Sequence, residues 1–188
     1  MTSEVSPSGL SRSLRMGDTA PDFEARTTQG MLRLSSYRGR WIVFFSHPAD
    51  FTPVCTTEFV GLAKAQDRFE AMDCALLGLS VDSLYAHAAW AKAIRDQFDV
   101  EISFPIVEDP SMAIARAYGM LDETAQDSSA VRAAYFIDPE GVIQAITHYP
   151  MSVGGDRLAP EGWRPGEPML LPPSSDAEGD DWFCRTAP

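Results

Sequence analysis

Three cysteines, Cys55, Cys74 and Cys184, are the candidate nucleophiles of this chain. They are too few and too scattered for a disulfide scaffold, and they form neither a CxxC pair nor a Cys/His metal pattern. In a reducing compartment, a lone cysteine in a distinctive setting is more often catalytic than structural. Cys55 has such a setting. It lies in "FFSHPADFTPVCTTEF", from Phe44 to Phe59, where an apolar run meets His47, Pro48, Thr52 and Pro53 and a helical pattern begins at once.

Thr52 is a suitable N-cap and Pro53 suits a first helical position, which makes Cys55 the third residue of a helix. First-turn N–H groups have no intrahelical acceptor, and the helix dipole favours negative charge there. That setting favours the thiolate, the nucleophilic form. Pro48 and Pro53 stiffen the loop and shield the sulfur. Thr52 offers a hydrogen bond to the thiolate or to an incoming oxygen. A cation from elsewhere would complete the site, and Arg132, just ahead of "AAYFID", is the best candidate. The competing reading makes Cys55 a small core residue beside a capped helix; the Pro-x-x-x-Thr-x-x-Cys spacing favours chemistry. Cys74, ahead of a buried strand, reads as structural. His47 reads equally well as a structural histidine or a member of the site.

Several elements must position these residues. "APDFEA" and "GMLRL" are short strands around a Thr-Thr-Gln-Gly turn. "WIVFF", Trp41 to Phe45, is a continuous apolar run, as in a strand buried on both faces. After Pro53, the positions Phe59, Leu62, Ala63, Gln66 and Phe69 follow helical spacing. "ALLGLSV" is the next buried strand. Ser83 caps a second helix with Leu84, Ala88, Ala91, Ile94 and Phe98 on one face. A short helix is expected near Ser111 to Tyr118. "AAYFID" and "VIQAITHY" flank Asp138-Pro-Glu-Gly and predict a hairpin. The pattern predicts a mixed α/β sheet with helices on both faces.

The chain has 188 residues, 45% hydrophobic and 10% aromatic, which suits one domain with a real core. Its net charge of -12 argues against nucleic-acid and anionic-membrane partners. No apolar run approaches the length of a membrane span, and the first residues lack the apolar core of a secretory signal. The expected organisation is a flexible leader over residues 1–15, a catalytic domain over 16–150 and an extended arm over 151–188, in a cytoplasmic protein. The arm is rich in Gly, Pro and Asp. It ends in an apolar cluster, Trp182, Phe183 and Cys184, which is expected to dock.

"PADFTPVC" resembles the active-site motif of peroxiredoxins, thiol peroxidases of thioredoxin-like fold. The longer "SHPADFTPVCTTEF" is similar to the 1-Cys, peroxiredoxin-6-like subfamily. "GDTAPDFEA", "LLGLSVDS", "FPIVEDP", "VRAAYFIDPEG", "YPMSVG" and "WRPGE" extend the resemblance from Met16 to about Glu167. It implies a thioredoxin-like α/β fold with a mixed central sheet flanked by helices. It implies that Cys55 is the peroxidatic cysteine, that Thr52 orients peroxide and thiolate, and that Pro48 closes the pocket. Arg132 would stabilise the thiolate and the leaving oxygen, with His47 and Glu58 tuning the network and contacting substrate.

"DDWFC" resembles the C-terminal motif of archaeal-type members, whose cysteine resolves a partner subunit. An intersubunit disulfide between Cys184 and Cys55 is therefore expected. So are a homo-oligomer (a dimer or a ring of dimers), a thiol reductant such as thioredoxin, and no metal or other cofactor. In one respect the chain departs from the pattern: the family has a long helix after "YPMSVG", and here only "GDRLA" precedes "PEGWRPGE". A redox sensor or holdase-like protein using the same sulfur is the alternative function. A disulfide reductase is disfavoured by the absence of CxxC, and no serine motif for a lipase is found.

Overall fold

The computed structural model describes residues 13–121 and 131–149, and the backbone alone at 169–170 and 186–187. The N-terminal hairpin pairs β1 (Glu24–Thr27) with β2 (Gly30–Arg33), and Gly30, the first residue after the turn, takes a φ of 104°. A short 3-10 helix, Leu34–Tyr37, leads to β3 (Trp41–Ser46). Then come α1 (Pro53–Ala71), β4 (Cys74–Ser80), α2 (Leu84–Phe98), β5 (Ile106–Glu108) and α3 (Ala113–Ala117). The hairpin of β6 (Arg132–Ile137) and β7 (Ile143–Tyr149) closes the domain. Two further strands, β8 (Met169–Leu170) and β9 (Thr186–Ala187), pair antiparallel.

The seven-stranded sheet runs β2-β1-β5-β4-β3-β6-β7. Its centre, β3, β4 and β5, is parallel, and β6 and β7 add antiparallel on one side. The apolar runs are continuous because both faces of these strands are covered. Ile42, Phe44, Leu77 and Leu79 pack with Ile114, Tyr118 and Tyr135 on one face. Val43, Phe45 and Leu76 pack with Cys55, Phe59, Trp90 and Ile94 on the other. This period-two alternation leaves α1 and α2 on one face and α3 on the opposite one. The expected mixed sheet with helices on both faces is therefore found among the described residues.

One expected face is corrected. The buried stripe of α2 runs through His87, Trp90 and Ile94, and Ala88 is exposed. Trp90 buries far more surface than an alanine, and both His87 and Trp90 find polar partners inside, so burial costs them little. Ser83 does cap the helix, accepting the Ala86 N–H at 3.3 Å. Cys74 is buried at the start of β4, and burial pushes its thiol up. It pairs with Trp41 at the first residue of β3, whereas the loop to Cys55 leaves from the last. The leader (apart from residues 13–15), almost all of the arm, and the stretch where the family helix would fall lie outside the described residues.

Candidate active site

The site is assembled at the carboxyl ends of the parallel strands β3 and β4, where open α/β sheets form clefts. The chain leaves β3 after Ser46, and the His47 N–H still reaches Leu79 O on β4 at 3.0 Å. Pro48 is buried, and Phe51 takes a left-handed φ of 56°, a conformation costly for a bulky residue and characteristic of functional loops. Thr52 is the N-cap of α1 and Pro53 opens it, so Cys55 occupies the third helical position and is only 1% exposed.

The Thr52 side chain behaves differently from the expectation. It makes no capping hydrogen bond and instead donates to Ala49 O at 2.9 Å. A hydroxyl has one proton, so Thr52 turns its lone pairs, and no donor, towards any other partner. The carbonyl of Thr52 accepts from Thr56 Oγ1 at 2.7 Å, which steadies the first turn.

Arg132 is the first residue of β6. Its Nη2 lies 3.6 Å from Cys55 Sγ, and its Nη1 donates to Glu58 Oε2. Glu58 follows Cys55 by three residues and so shares its face of α1. The Arg132 and Glu58 side chains are only 20% and 24% exposed, so the charges act in a partly desolvated space. Two different nitrogens of one guanidinium thus serve the carboxylate and the sulfur. A guanidinium so placed offers one N–H to the sulfur, and its ion pair with Glu58 fixes the fork.

His47 belongs to a buried network. Its Nε2 lies 2.7 Å from Asp50 Oδ1, and Asp50 Oδ2 lies 2.7 Å from His87 Nδ1 on α2. Burial alone would raise the Asp50 carboxyl, but hydrogen bonds from the two imidazoles outweigh it and hold the group below its ordinary range. His47 is fully buried, and burial pushes its imidazole down despite Asp50. An ionised carboxylate only accepts, so the two facing nitrogens carry the protons. The outer ring nitrogens, His47 Nδ1 and His87 Nε2, are buried without a hydrogen-bond partner among the described residues. Asp82 Oδ2 accepts from the Asp50 N–H at 2.8 Å and from Ser80 Oγ at 3.0 Å. Donor atoms of His47, Asp50 and Asp82 lie within 4.8 Å of one another. The hydrogen bonds among these groups account for that clustering without an ion.

The structure thus brings Cys55, Glu58 and Arg132 into contact, with Pro48, Thr52 and His47 in the loop that delivers them. Cys184 lies outside the described residues. Asp50 and His87 were not singled out from sequence. Their signal in the sequence is the spacing of Asp50 three residues after His47, and the stripe of His87, Trp90 and Ile94 at helical spacing.

Residues 16–146 match the AhpC/TSA family, and residues 157–182 match the C-terminal domain of 1-Cys peroxiredoxin. A peroxiredoxin of Methanosarcina mazei is 42% identical over 188 aligned residues, covering 87% of this chain and 86% of that protein. Peroxiredoxin 2 of Picrophilus torridus is 40% identical, covering 91% and 98%. Among solved structures, a yeast mitochondrial 1-Cys peroxiredoxin superposes with a TM-score of 0.69 at 33% identity, over 85% of this chain and 87% of that one. A cysteine-to-serine variant of peroxiredoxin 6 from Arenicola marina gives a TM-score of 0.69 at 26% identity, over 91% and 89%. The chain belongs to the peroxiredoxin family, on the thioredoxin-like fold of that family. It is accordingly a thiol-dependent peroxidase. No helix among the described residues is long and apolar enough to cross a membrane.

Proposed function

We propose that Cys55 is the peroxidatic cysteine and that its substrates are hydrogen peroxide and organic hydroperoxides. The Cys55 thiolate attacks the terminal peroxide oxygen. The S–O bond forms as the O–O bond breaks, leaving a sulfenic acid and an alkoxide or hydroxide that takes up a proton. The sulfur is oxidised and the peroxide reduced. Arg132 stabilises the thiolate and then the developing charge on the leaving oxygen, the step where electrostatic preorganisation is worth most. Thr52, its own proton committed to Ala49 O, accepts a hydrogen bond from the peroxide O–H. Pro48 bounds the pocket, Glu58 holds the guanidinium, and His47 braces the loop beside the substrate.

The contact between Arg132 and Cys55 Sγ carries this reading, because it joins a cysteine at a helix start to a cation from a strand distant in sequence. The sulfenic acid is restored by Cys184 of a partner subunit, forming a disulfide with loss of water, or by an external thiol. The match of residues 157–182 to the 1-Cys C-terminal domain supports an arm of the family type. A dithiol such as thioredoxin then reduces the disulfide. This route requires a homo-oligomer, a dimer or a ring of dimers, and a reducing, cytoplasmic setting suits it. Residues 16–150 would form the peroxidase domain and 151–188 the arm.

The test is peroxide consumption in the presence of dithiothreitol or thioredoxin with its reductase. Rapid turnover should vanish in Cys55→Ser. Turnover that persists in that variant would refute the assignment. A redox sensor or holdase would instead oxidise once, change assembly and fail to turn over.

A further inference from the structure

We propose that Ser46 is a positioning residue for Arg132, its side chain completing a strand ladder that Pro48 interrupts. The inference rests on the assignment of Arg132 to the Cys55 thiolate. β3 and β6 pair in register from Ile42↔Ile137 to Ser46↔Ala133, and there the ladder stops. Two residues further along β3, the partner facing Val131 would be Pro48, which has no N–H to give its carbonyl. The start of β6, where Arg132 sits, would be left without a rung on this side.

Ser46 Oγ supplies it. It donates to Val131 O at 2.6 Å and accepts the Ala133 N–H at 3.3 Å. One hydroxyl therefore grips the main chain on both sides of Arg132. Ser46 is 2% exposed, so water does not compete for either bond. On the other edge of β6, Arg132 pairs with Tyr149 of β7, and the chain just before it is tied by Val131 N to Met120 O at 2.7 Å. The backbone beneath the guanidinium is held from both neighbouring strands. That matters because Arg132 must address Glu58 and Cys55 at once, through separate nitrogens. A small displacement of its Cα breaks one contact or the other.

The polar residue at the end of an otherwise apolar strand thus has a specific task. The Pro48 that bounds the sulfur's loop removes a strand hydrogen bond, and Ser46, two residues earlier, replaces it. A threonine keeps the hydroxyl and suits a strand, whereas an alanine leaves the Val131 carbonyl without its donor.

The test uses Ser46→Ala, Ser46→Thr, Arg132→Lys and the Ser46→Ala/Arg132→Lys pair in the full chain. The rate constant of Cys55 oxidation by hydrogen peroxide is measured by stopped flow, alongside the thermal unfolding midpoint. Ser46→Ala should react about ten-fold more slowly under conditions where it is fully folded. Ser46→Thr should recover most of the rate. Ser46→Ala should cost nothing further once Arg132 is replaced, because both act through one guanidinium. A wild-type rate in folded Ser46→Ala, or an undiminished loss in the paired variant, overturns the proposal. A wild-type rate in Arg132→Lys overturns it differently, by removing the arginine's own role.

Discussion

His47 and His87 come from different elements and are joined by the two oxygens of one carboxylate, Asp50, each at 2.7 Å. This link ties the loop before α1 to the first turn of α2, and it makes stability depend on pH. The His47 imidazole is pushed down in the fold by burial, so the unfolded chain binds its proton first as pH falls below about 6.5. The Asp50 carboxyl is held low, so its contribution is present above about pH 3.9 and is lost as pH falls through its lower folded value. Both signs point to acid destabilisation, first from the histidine and then from the aspartate. His87 and Asp82 face the same cluster, each hydrogen-bonded to Asp50. The melting temperature should fall from about pH 7 to about pH 5, and the fall should be shallower in His47→Gln. A profile flat over that range in the wild type contradicts the assignment.

Gly78 on β4 leaves room for Phe59, which lies one turn beyond Cys55 on α1. A Cβ at Gly78 would lie 3.1 Å from the Phe59 ring and 3.5 Å from Phe45. Phe59 is fully buried between Trp90, at a ring distance of 4.5 Å, and Phe45, at 5.4 Å, so it has little space to yield. Gly78→Ala should cost about 1–3 kcal/mol in a urea titration. Peroxide reactivity should fall too, since the displaced ring is on the helix that carries the sulfur. An alanine variant as stable as the parent would show that the packing relaxes freely.

Arg132 and Glu58 make a further prediction through geometry. A lysine has three donors on one freely rotating ammonium and lacks the rigid fork that holds Glu58 and Cys55 through separate nitrogens. Arg132→Lys should therefore slow Cys55 oxidation by about 10²-fold despite its retained charge. Glu58→Gln, which keeps an acceptor oxygen, should cost less. Equal rates for Arg132→Lys and the wild type in stopped-flow oxidation would mean that charge alone suffices.

For Cys184 the readout is a gel. Peroxide treatment should produce a disulfide-linked dimer under non-reducing conditions, and Cys184→Ser should abolish it. Mass spectrometry should then find Cys55 as sulfenic acid or overoxidised. A dimer that survives in Cys184→Ser assigns resolution to another thiol.

The parts of the site that lie together in sequence were the legible ones. Pro48, Thr52 and Cys55 sit within one turn and one helix start, and Pro53 marks that start without any tertiary information. The strands of the sheet were equally plain, because burial on both faces produces unbroken apolar runs. From the residues themselves Arg132 is only a cation ahead of a strand, since proximity across the sheet is invisible in composition, and the family resemblance supplies its role. Asp50 and His87 are not legible in the sequence, because a buried histidine looks like an interruption of a helical stripe until its carboxylate partner is known. Thr52 shows the opposite limit. Its position at the cap was clear, but the direction of its hydroxyl was set by Ala49 O, a local acceptor that residue type does not reveal. Ser46 likewise looks like the frayed end of a strand until the ladder is counted.

The separation of the sulfur and its guanidinium by 77 residues has a consequence in time as well as in space. A ribosome adds about 5–20 residues per second, so roughly 4 to 15 seconds pass between synthesis of the thiol and synthesis of its cation. Until β6 has emerged and docked beside β3, the nascent chain carries Cys55 without its contact to Arg132. On the proposed role of Arg132, reactivity towards peroxide would be acquired late, on closure of the sheet, and a half-made chain on a polysome would be spared the oxidation that the finished protein invites.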